Sequence, residues 1–205
     1  MTVARGRFIT FEGGEGTGKS TQARLLAERR DALLTREPGG TPVGMQVRSI
    51  LLDPDTGELD PRTEALLMAA DRAEHVATVI VPALDAGTDV ISDRFAHSSI
   101  AYQGHGRGLD PLDVEATSRW ASGDVWPDLV VLLTVPADLA AQRLDRDLDR
   151  FEQAGDAFHR RVADAFTAMA AAEPDRWVVI DGVGTVDEVA ARVAGAVDER
   201  LGAPA

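Results

Sequence analysis

"FEGGEGTGKST", residues 11–21, contains Lys19, the only lysine among the 21 lysine and arginine residues of the chain. Residues 13–20 match the pattern Gly-x-x-x-x-Gly-Lys-Ser/Thr, which is typical of loops that bind nucleotide phosphates. In such loops glycines allow positive φ, so that successive N–H groups surround phosphate oxygens at a helix start. The glycines expected to do so here are Gly13, Gly14, Gly16 and Gly18. The compact ammonium of lysine is not replaced by the planar guanidinium of arginine in so narrow a space. The stretch therefore predicts a phosphate-binding loop between a strand and a helix.

The residues of this loop are expected to bind ATP. In loops of this pattern the lysine, here Lys19, reaches the β- and γ-phosphates, and the hydroxyl of Ser20 can ligate Mg²⁺. The predicted ATP-binding residues are Gly13, Gly14, Glu15, Gly16, Thr17, Gly18, Lys19, Ser20 and Thr21.

On both sides of the loop, short apolar runs alternate with segments of helical periodicity. The predicted strands are residues 7–13, 32–37, 88–95, 128–135 and 176–182. The predicted helices are residues 19–31, 44–52, 60–87, 110–123, 156–172 and 186–202, with another starting at 136. Pro82 is expected to kink the last turn of the helix over 60–87. Several strands lack polar alternation, so we expect an α/β protein whose parallel sheet is covered by helices on both faces.

The composition excludes several classes of function. The net charge of −13 and the pI of about 4.6 argue against a nucleic-acid partner and against a polybasic membrane binder. The chain has no cysteine, so disulfides and thiolate zinc sites are excluded. No segment approaches the ~18 apolar residues of a membrane span, and the N-terminus lacks a signal-peptide pattern. We therefore expect a cytoplasmic protein with no membrane partner.

Loops of this kind occur in GTPase switches, in motors and in small kinases. A GTPase needs an Asn/Thr-Lys-x-Asp motif for guanine, which this chain cannot have because its only lysine lies in the loop. A motor or transporter ATPase is usually larger. A small kinase needs a second cationic surface for the acceptor. Arg36 and Arg94 end the second and third predicted strands, where ligands bind in open α/β sheets, and Arg48 and Arg72 lie on helices between them.

The chain resembles the thymidylate kinases of bacteria in five blocks spread over most of its length. These blocks are FEGGEGTGKST (11–21), TREPGGT (35–41), DRF (93–95), AYQGHGRGL (101–109) and LDRFEQ (148–153). The resemblance implies a P-loop nucleoside monophosphate kinase fold, with a five-stranded parallel sheet flanked by helices on both faces. It also implies a single kinase domain over 1–205 with a short lid at about 140–153, a homodimer, and transfer of the γ-phosphoryl group of ATP to dTMP with Mg²⁺.

The resemblance also implies roles around the acceptor phosphate. Arg36, Arg48 and Arg94 would hold the phosphate region of dTMP, and Glu15 would contact the sugar 3′-hydroxyl or the phosphate side. Asp93 would order Mg²⁺ through water and orient Arg94.

A second group of residues is implied to hold the thymidine part of dTMP. Arg72 would contact the thymine carbonyl side, and Ser99 and Gln103 would hydrogen-bond the base. Tyr102 would lie against C2′, where a ribose hydroxyl would clash. Met68 stands where the family usually has a phenylalanine stacked on thymine, and its thioether can pack against a ring face.

The catalytic arginine is expected to come from the lid, because the loop itself has Gly16 where other members of the family carry a basic residue. Arg143 and Arg146 are the candidates, with Arg150 the next. The predicted catalytic residues are Lys19, Arg94, Arg143, Arg146 and Glu15.

Two other functions remain open at this point. One is another deoxynucleoside monophosphate kinase, acting for example on dUMP or dGMP, and the other is a catalytically weak nucleotide-binding module. The roles of Glu12 and Glu37 are also open, since each either supports the site or pairs structurally with a neighbouring arginine.

Overall fold

The computed structural model of the protein describes residues 4–143 and 149–203. The strands in these ranges are β1 (Phe8–Glu12), β2 (Leu33–Arg36), β3 (Val90–Asp93), β4 (Leu129–Thr134) and β5 (Trp177–Asp181). They form one sheet in the order β2-β3-β1-β4-β5, and every neighbouring pair is parallel. Each strand lies inside a predicted one, so the predicted five-stranded parallel sheet is confirmed.

The helices of the described residues connect these strands. They are α1 (Lys19–Arg30), α2 (Pro42–Leu52), α3 (Pro61–His75), α4 (Val81–Asp85), α5 (Ala96–Ser99), α6 (Pro111–Ser122), α7 (Ala137–Gln142), α8 (Asp156–Ala172) and α9 (Val186–Leu201). Both α3 and α6 begin at an Asp-Pro pair, where the carboxylates of Asp60 and Asp110 accept a backbone N–H two residues further on. Thr185 and Glu188 form a capping box at the start of α9. None of the described helices is long and apolar enough to cross a membrane.

Helices cover both faces of the sheet. Ile9 and Phe11 of β1 pack with residues of α1 and α9 on one face. Phe8 points to the opposite face, where its ring meets that of Phe95 edge-on with centroids 4.9 Å apart. Every residue of β1 is buried, which explains why this strand shows no polar alternation in the sequence.

The helix predicted over 60–87 is interrupted in the structure. It consists of α3, a π-helical turn (Val76–Ile80) and α4. The N–H of Val81 bonds to the carbonyl of Val76, five residues back, directly before Pro82, which has no N–H to donate. The irregularity therefore lies one turn before the proline that was expected to cause it.

The segment after β3 was not predicted to be helical. It forms α5 and continues as a π-helical segment (Ile100–Gly106), in which the N–H of Arg107 bonds to the carbonyl of Tyr102 at 2.9 Å. Glycines at 104, 106 and 108 give this stretch a low helix propensity, so its sequence is typical of a loop. The helical turns bring Tyr102 and Gln103 to the region beyond the carboxyl end of β3.

Candidate active site

The loop between β1 and α1 has the backbone geometry expected of a phosphate-binding loop. Gly13, Gly16 and Gly18 adopt φ values of 135°, 71° and 93°, whereas Gly14 lies outside the positive-φ region, so the expectation holds for three of the four glycines. A Cβ atom on Gly13 would lie 2.4 Å from the carbonyl oxygen of Leu133. This close approach of backbone to backbone requires glycine independently of φ.

Lys19 is the first residue of α1, and its side chain is buried inside the loop. The ammonium donates to the carbonyl oxygen of Gly14 at 2.6 Å and lies 3.5 Å from the hydroxyl of Thr17. Burial, followed by the positive charge of Arg94, lowers the pKa of Lys19 from its ordinary value. A negative group in the loop would relieve both effects, as expected for a site that binds phosphate.

A cavity opens beside the loop and contains most of the predicted site residues. The predicted residues that line it are Glu15, Lys19, Ser20, Arg36, Arg48, Met68, Asp93, Arg94, Tyr102 and Gln103. We call it the acceptor cavity. Its other lining residues are Glu37, Pro38, Leu52, Ser98, Asp149 and Phe151.

Arg94 links the loop to this cavity. It follows β3 with a positive φ of 71°, and its guanidinium donates to the carbonyl of Gly13 at 3.1 Å and to the Tyr102 hydroxyl at 3.0 Å. It also pairs with the carboxylate of Glu15. Burial opposes the charge of Arg94, but the nearby acidic groups, Glu15 first among the carboxylates, outweigh it and raise the pKa. Arg94 is therefore a fixed positive charge at the junction of loop and cavity.

Glu12, the last residue of β1, holds the turn that follows Arg94. Its two carboxyl oxygens accept the backbone N–H of Phe95 at 3.0 Å and the hydroxyl of Ser98 at 2.6 Å. Burial raises the pKa of Glu12 to about 7, against the lowering effect of Arg94. Glu12 thus fixes the turn on which Arg94 and Ser98 lie.

Ser20 and Asp93 are the residues predicted to serve a metal ion, and they lie in contact. The hydroxyl of Ser20 donates to a carboxylate oxygen of Asp93. Both are hard oxygen ligands, and Mg²⁺ in kinases takes one or two protein ligands of this kind besides phosphate and water. The donor set therefore fits Mg²⁺.

Arg36 and Arg48 form a second cationic group in the acceptor cavity. Arg48 donates to the carbonyl of Pro38 at 2.8 Å, and Arg36 is exposed. Burial, and then the charge of Arg36, lowers the pKa of Arg48. Among the described residues, neither arginine forms an ion pair with a carboxylate. Two like charges without a carboxylate partner are suited to an anionic ligand.

Arg72 and Ser99 do not line the acceptor cavity, although both were predicted to contact the base. The guanidinium of Arg72 is fully buried, and it pairs with Glu37 at 2.9 Å and donates to the hydroxyls of Ser99 and Ser118, both at 3.0 Å. A buried guanidinium is stable only when its donors are satisfied, so these contacts hold it away from the cavity. Of the two roles left open for Glu37, the structure shows the ion pair with a neighbouring arginine. Glu37 also lines the acceptor cavity.

A second cavity lies on the other side of the loop. Its lining residues are Gly16, Thr17, Gly18, Thr21, Gln22, Arg143, Gly182, Gly184, Thr185, Val186 and Val189. Arg143 donates to the carbonyl of Gly182 at 3.2 Å, and it lines this cavity rather than the acceptor cavity. We call this the donor cavity, because it is lined by predicted ATP-binding residues and by none of the residues predicted to bind dTMP.

The other lid candidates have different outcomes. Arg146 lies outside the described residues, so its catalytic role stays a prediction. Arg150 donates to the carbonyl of Leu51 at 2.8 Å and pairs with the buried carboxylate of Glu64 at 2.6 Å. These contacts make Arg150 a structural anchor at the end of the lid.

Sequence reasoning missed part of both cavities. The segment 182–189 in the donor cavity follows the fifth strand, and the general rule that ligands bind beyond the carboxyl ends of parallel strands could have indicated it. Ser98 and Phe151 line the acceptor cavity, and both lie next to or inside blocks already noted in the sequence.

Comparisons with known proteins agree with this geometry. The family model for thymidylate kinase matches residues 11–193. The thymidylate kinase of Geobacter sp. (strain M21) is 46% identical over 209 residues, covering 96% of this chain and 93% of that protein. The thymidylate kinase of Synechococcus sp. (strain JA-2-3B'a(2-13)) is 49% identical over 199 residues, covering 95% of each. The crystal structure of thymidylate kinase from Ehrlichia chaffeensis matches with a TM-score of 0.79 at 34% identity, over 95% of this chain and 99% of that one. The chain therefore belongs to the thymidylate kinase family.

Proposed function

We propose that the protein transfers the γ-phosphoryl group of ATP to dTMP, giving ADP and dTDP, with Mg²⁺ as metal cofactor. The observation that carries this proposal is that Lys19 and Ser20 of the phosphate loop line the same cavity as Arg36, Arg48 and Arg94. A donor phosphate on the loop and an acceptor phosphate on the arginines would thus meet in one space. Relatives named thymidylate kinase support dTMP as the acceptor.

Phosphoryl transfer requires mainly positioning and neutralisation of charge. The loop amides and Lys19 hold the donor phosphates, while Arg36 and Arg48 hold the acceptor phosphate. Arg94, hydrogen-bonded to Gly13 and paired with Glu15, keeps a positive charge between the two. The attacking oxygen of dTMP is already anionic, so a strong general base is not needed.

Ser20 and Asp93 would hold Mg²⁺ on the donor side. When bound, the ion supplies neutralisation of the charge on the donor phosphates. Among residues 4–143 and 149–203 there is no cluster of three or more His, Cys, Asp or Glu side chains that could hold a metal by itself. This agrees with an ion that takes most of its ligands from phosphate and water.

The base of dTMP would occupy the part of the cavity lined by Met68, Tyr102 and Gln103. The hydroxyl of Tyr102 donates to Glu15 at 3.0 Å and accepts from Arg94, which fixes the ring beside the sugar position. The Tyr102 ring meets that of Phe151 edge-on with centroids 5.8 Å apart. A sugar with a 2′-hydroxyl would have little room against this supported ring.

We further propose that the protein acts as a homodimer in the cytoplasm. Leu66 of α3 and Leu112 and Trp120 of α6 expose 62%, 74% and 83% of their surface, and the two helices pack against each other. Exposed large apolar residues on neighbouring helices suit a protein interface. Light scattering of the wild type and of Trp120→Asp tests this, since the variant should shift the protein towards monomer.

The substrate proposal is tested by measuring ADP formation from ATP and Mg²⁺ with dTMP, dUMP, dGMP and dCMP. We expect the highest kcat/KM with dTMP. If dGMP or dCMP is as good an acceptor, the thymidylate assignment is wrong. Binding of ATP without transfer to any of the four would indicate a catalytically weak nucleotide-binding module.

A further inference from the structure

Glu64 is a fully buried carboxylate in the first turn of α3 that the proposed function does not use. Among the described residues, three side chains donate to it. The amide of Gln103 and the guanidinium of Arg107 reach one carboxylate oxygen at 2.8 and 3.2 Å, and the guanidinium of Arg150 reaches the other at 2.6 Å. Held by two guanidinium groups on opposite oxygens, this carboxylate has no freedom to rotate.

This contact decides which way the side-chain amide of Gln103 points. An ionised carboxylate can only accept hydrogen bonds, so Gln103 must present its NH₂ group to Glu64. The reverse orientation would place a carbonyl oxygen against a carboxylate oxygen in a buried site. The carbonyl oxygen of Gln103 therefore faces away from Glu64, and it has no hydrogen-bond partner within the part of the chain that the structure describes.

Gln103 is 1% exposed and lines the acceptor cavity beside Met68, which lies one turn after Glu64 on α3. A buried acceptor without a partner is unfavourable until a ligand supplies a donor. Thymine offers such a donor at N3–H, whereas cytosine carries an unprotonated acceptor nitrogen at the same position.

We propose that Glu64 is a specificity-determining positioning residue: by fixing the amide of Gln103, it makes the cavity accept pyrimidines with an N3–H and reject cytosine bases. This inference rests on the proposed function and adds the means by which the acceptor base is selected. Glu64 itself does not touch the base and acts only through Gln103.

The first test uses the wild-type enzyme with dTMP and 5-methyl-dCMP. These acceptors carry the same methyl group and differ in the hydrogen-bonding groups at positions 3 and 4 of the ring. A site that reads hydrogen bonds discriminates strongly, so we expect kcat/KM to favour dTMP by about 100-fold or more. A preference for dTMP below about tenfold overturns the inference. Because this test uses only the wild-type enzyme, it does not depend on whether a variant folds.

The second test compares Glu64→Gln with Arg107→Gln. An amide at position 64 can donate to Gln103 as well as accept from it, so the orientation of Gln103 is released, and the preference for dTMP should fall by about tenfold. Arg107→Gln removes one of the two guanidinium partners but keeps the carboxylate, so the preference should stay within about threefold of the wild-type value, although the free energy of unfolding falls. Unfolding curves of both variants separate loss of stability from loss of selection.

An unchanged preference in folded Glu64→Gln, or an equal loss in Arg107→Gln, contradicts the role of Glu64. Either result leaves dTMP kinase activity of the wild type intact. The proposed function itself fails if the wild type does not phosphorylate dTMP, or if it uses dGMP or dCMP equally well. Neither outcome depends on the two variants, so the failure of the role of Glu64 is distinguishable from the failure of the proposed function.

Discussion

The phosphate loop and the acceptor cavity meet at Lys19, yet they are built in different ways. The loop is one continuous stretch, and the acceptor of the Lys19 ammonium is the carbonyl of Gly14, five positions earlier. The acceptor cavity is built from segments that are distant in the sequence and joined by side-chain pairs. Arg94 pairs with Glu15 across 79 positions, and Gln103 donates to Glu64 across 39.

This difference should determine how each region fails. A substitution in the loop changes a local charge or a local backbone shape, so it should reduce activity with little effect on stability. A substitution in the pairs behind the acceptor cavity leaves a buried charge without its partner, so it should reduce the free energy of unfolding as well.

Lys19→Arg should lower kcat by a factor of about 10³ or more. The guanidinium keeps the positive charge, but its planar group cannot take the place of the compact ammonium in the loop. The affinity for dTMP and the midpoint of unfolding should change little. Arg24→Lys, the reverse exchange on the exposed face of the same helix, is the matched control and should keep full activity. Steady-state kinetics and denaturant unfolding measure both, and near-normal kcat in Lys19→Arg would remove the basis for the donor-site assignment.

Glu37→Gln should lower the free energy of unfolding by about 3–5 kcal/mol, because it leaves the buried guanidinium of Arg72 without its charge partner. Glu28→Gln breaks the exposed pair with Arg24 on α1 and should cost about 0.5 kcal/mol or less. Urea unfolding of the two variants gives the comparison. Equal costs would show that the pair behind the acceptor cavity is not the support we describe.

Glu12 lies between the two regions and should make stability depend on pH. Its ordinary pKa is 4.5 and burial raises it to about 7, so the unfolded chain loses this proton at lower pH than the folded one. The contribution of Glu12 to the free energy of unfolding is therefore present at low pH. It declines by up to about 3 kcal/mol as the pH rises from about 4.5 to 7. Glu12→Gln has no proton to lose, so its stability relative to the wild type should increase between about pH 4.5 and 7. Parallel stability profiles for the two proteins would contradict the raised pKa.

Met68→Phe tests the acceptor cavity without touching its ion pairs. If an aromatic ring at this position packs on thymine, dTMP should bind more tightly by about 0.5–1.5 kcal/mol. Calorimetric titration with dTMP measures the change, and titration with ATP is the control, since the donor cavity does not include this residue. Weaker binding of dTMP would mean that the methionine is needed for packing rather than for the base.

The contrast also explains which features could be predicted from the sequence. The sheet and the loop follow from local patterns, namely apolar runs for the strands and a fixed spacing of glycines and one lysine. Arg36 and Arg94 followed from their places at strand ends. A pairing of Glu37 with an arginine was one of two alternatives from the sequence. That the arginine is Arg72 could not be predicted, because it depends on how α3 packs against the segment after β2. The same holds for Glu64, whose partners lie on two segments far apart in the sequence, Gln103 and Arg107 on one and Arg150 on the other.

The π-helical segment after β3 makes the acceptor site sensitive to chain length as well as to residue type. Each residue of an α-helix is rotated by about 100° from the one before it. Deleting one residue from the π-helical segment would therefore rotate the side chains after the deletion by about a quarter of a turn relative to those before it. Tyr102 would then lose its register with Glu15, or Gln103 its register with Glu64. We expect insertions and deletions to be rejected between β3 and α6 during divergence, whereas the mostly exposed turn at 54–58, between α2 and α3, should accept them.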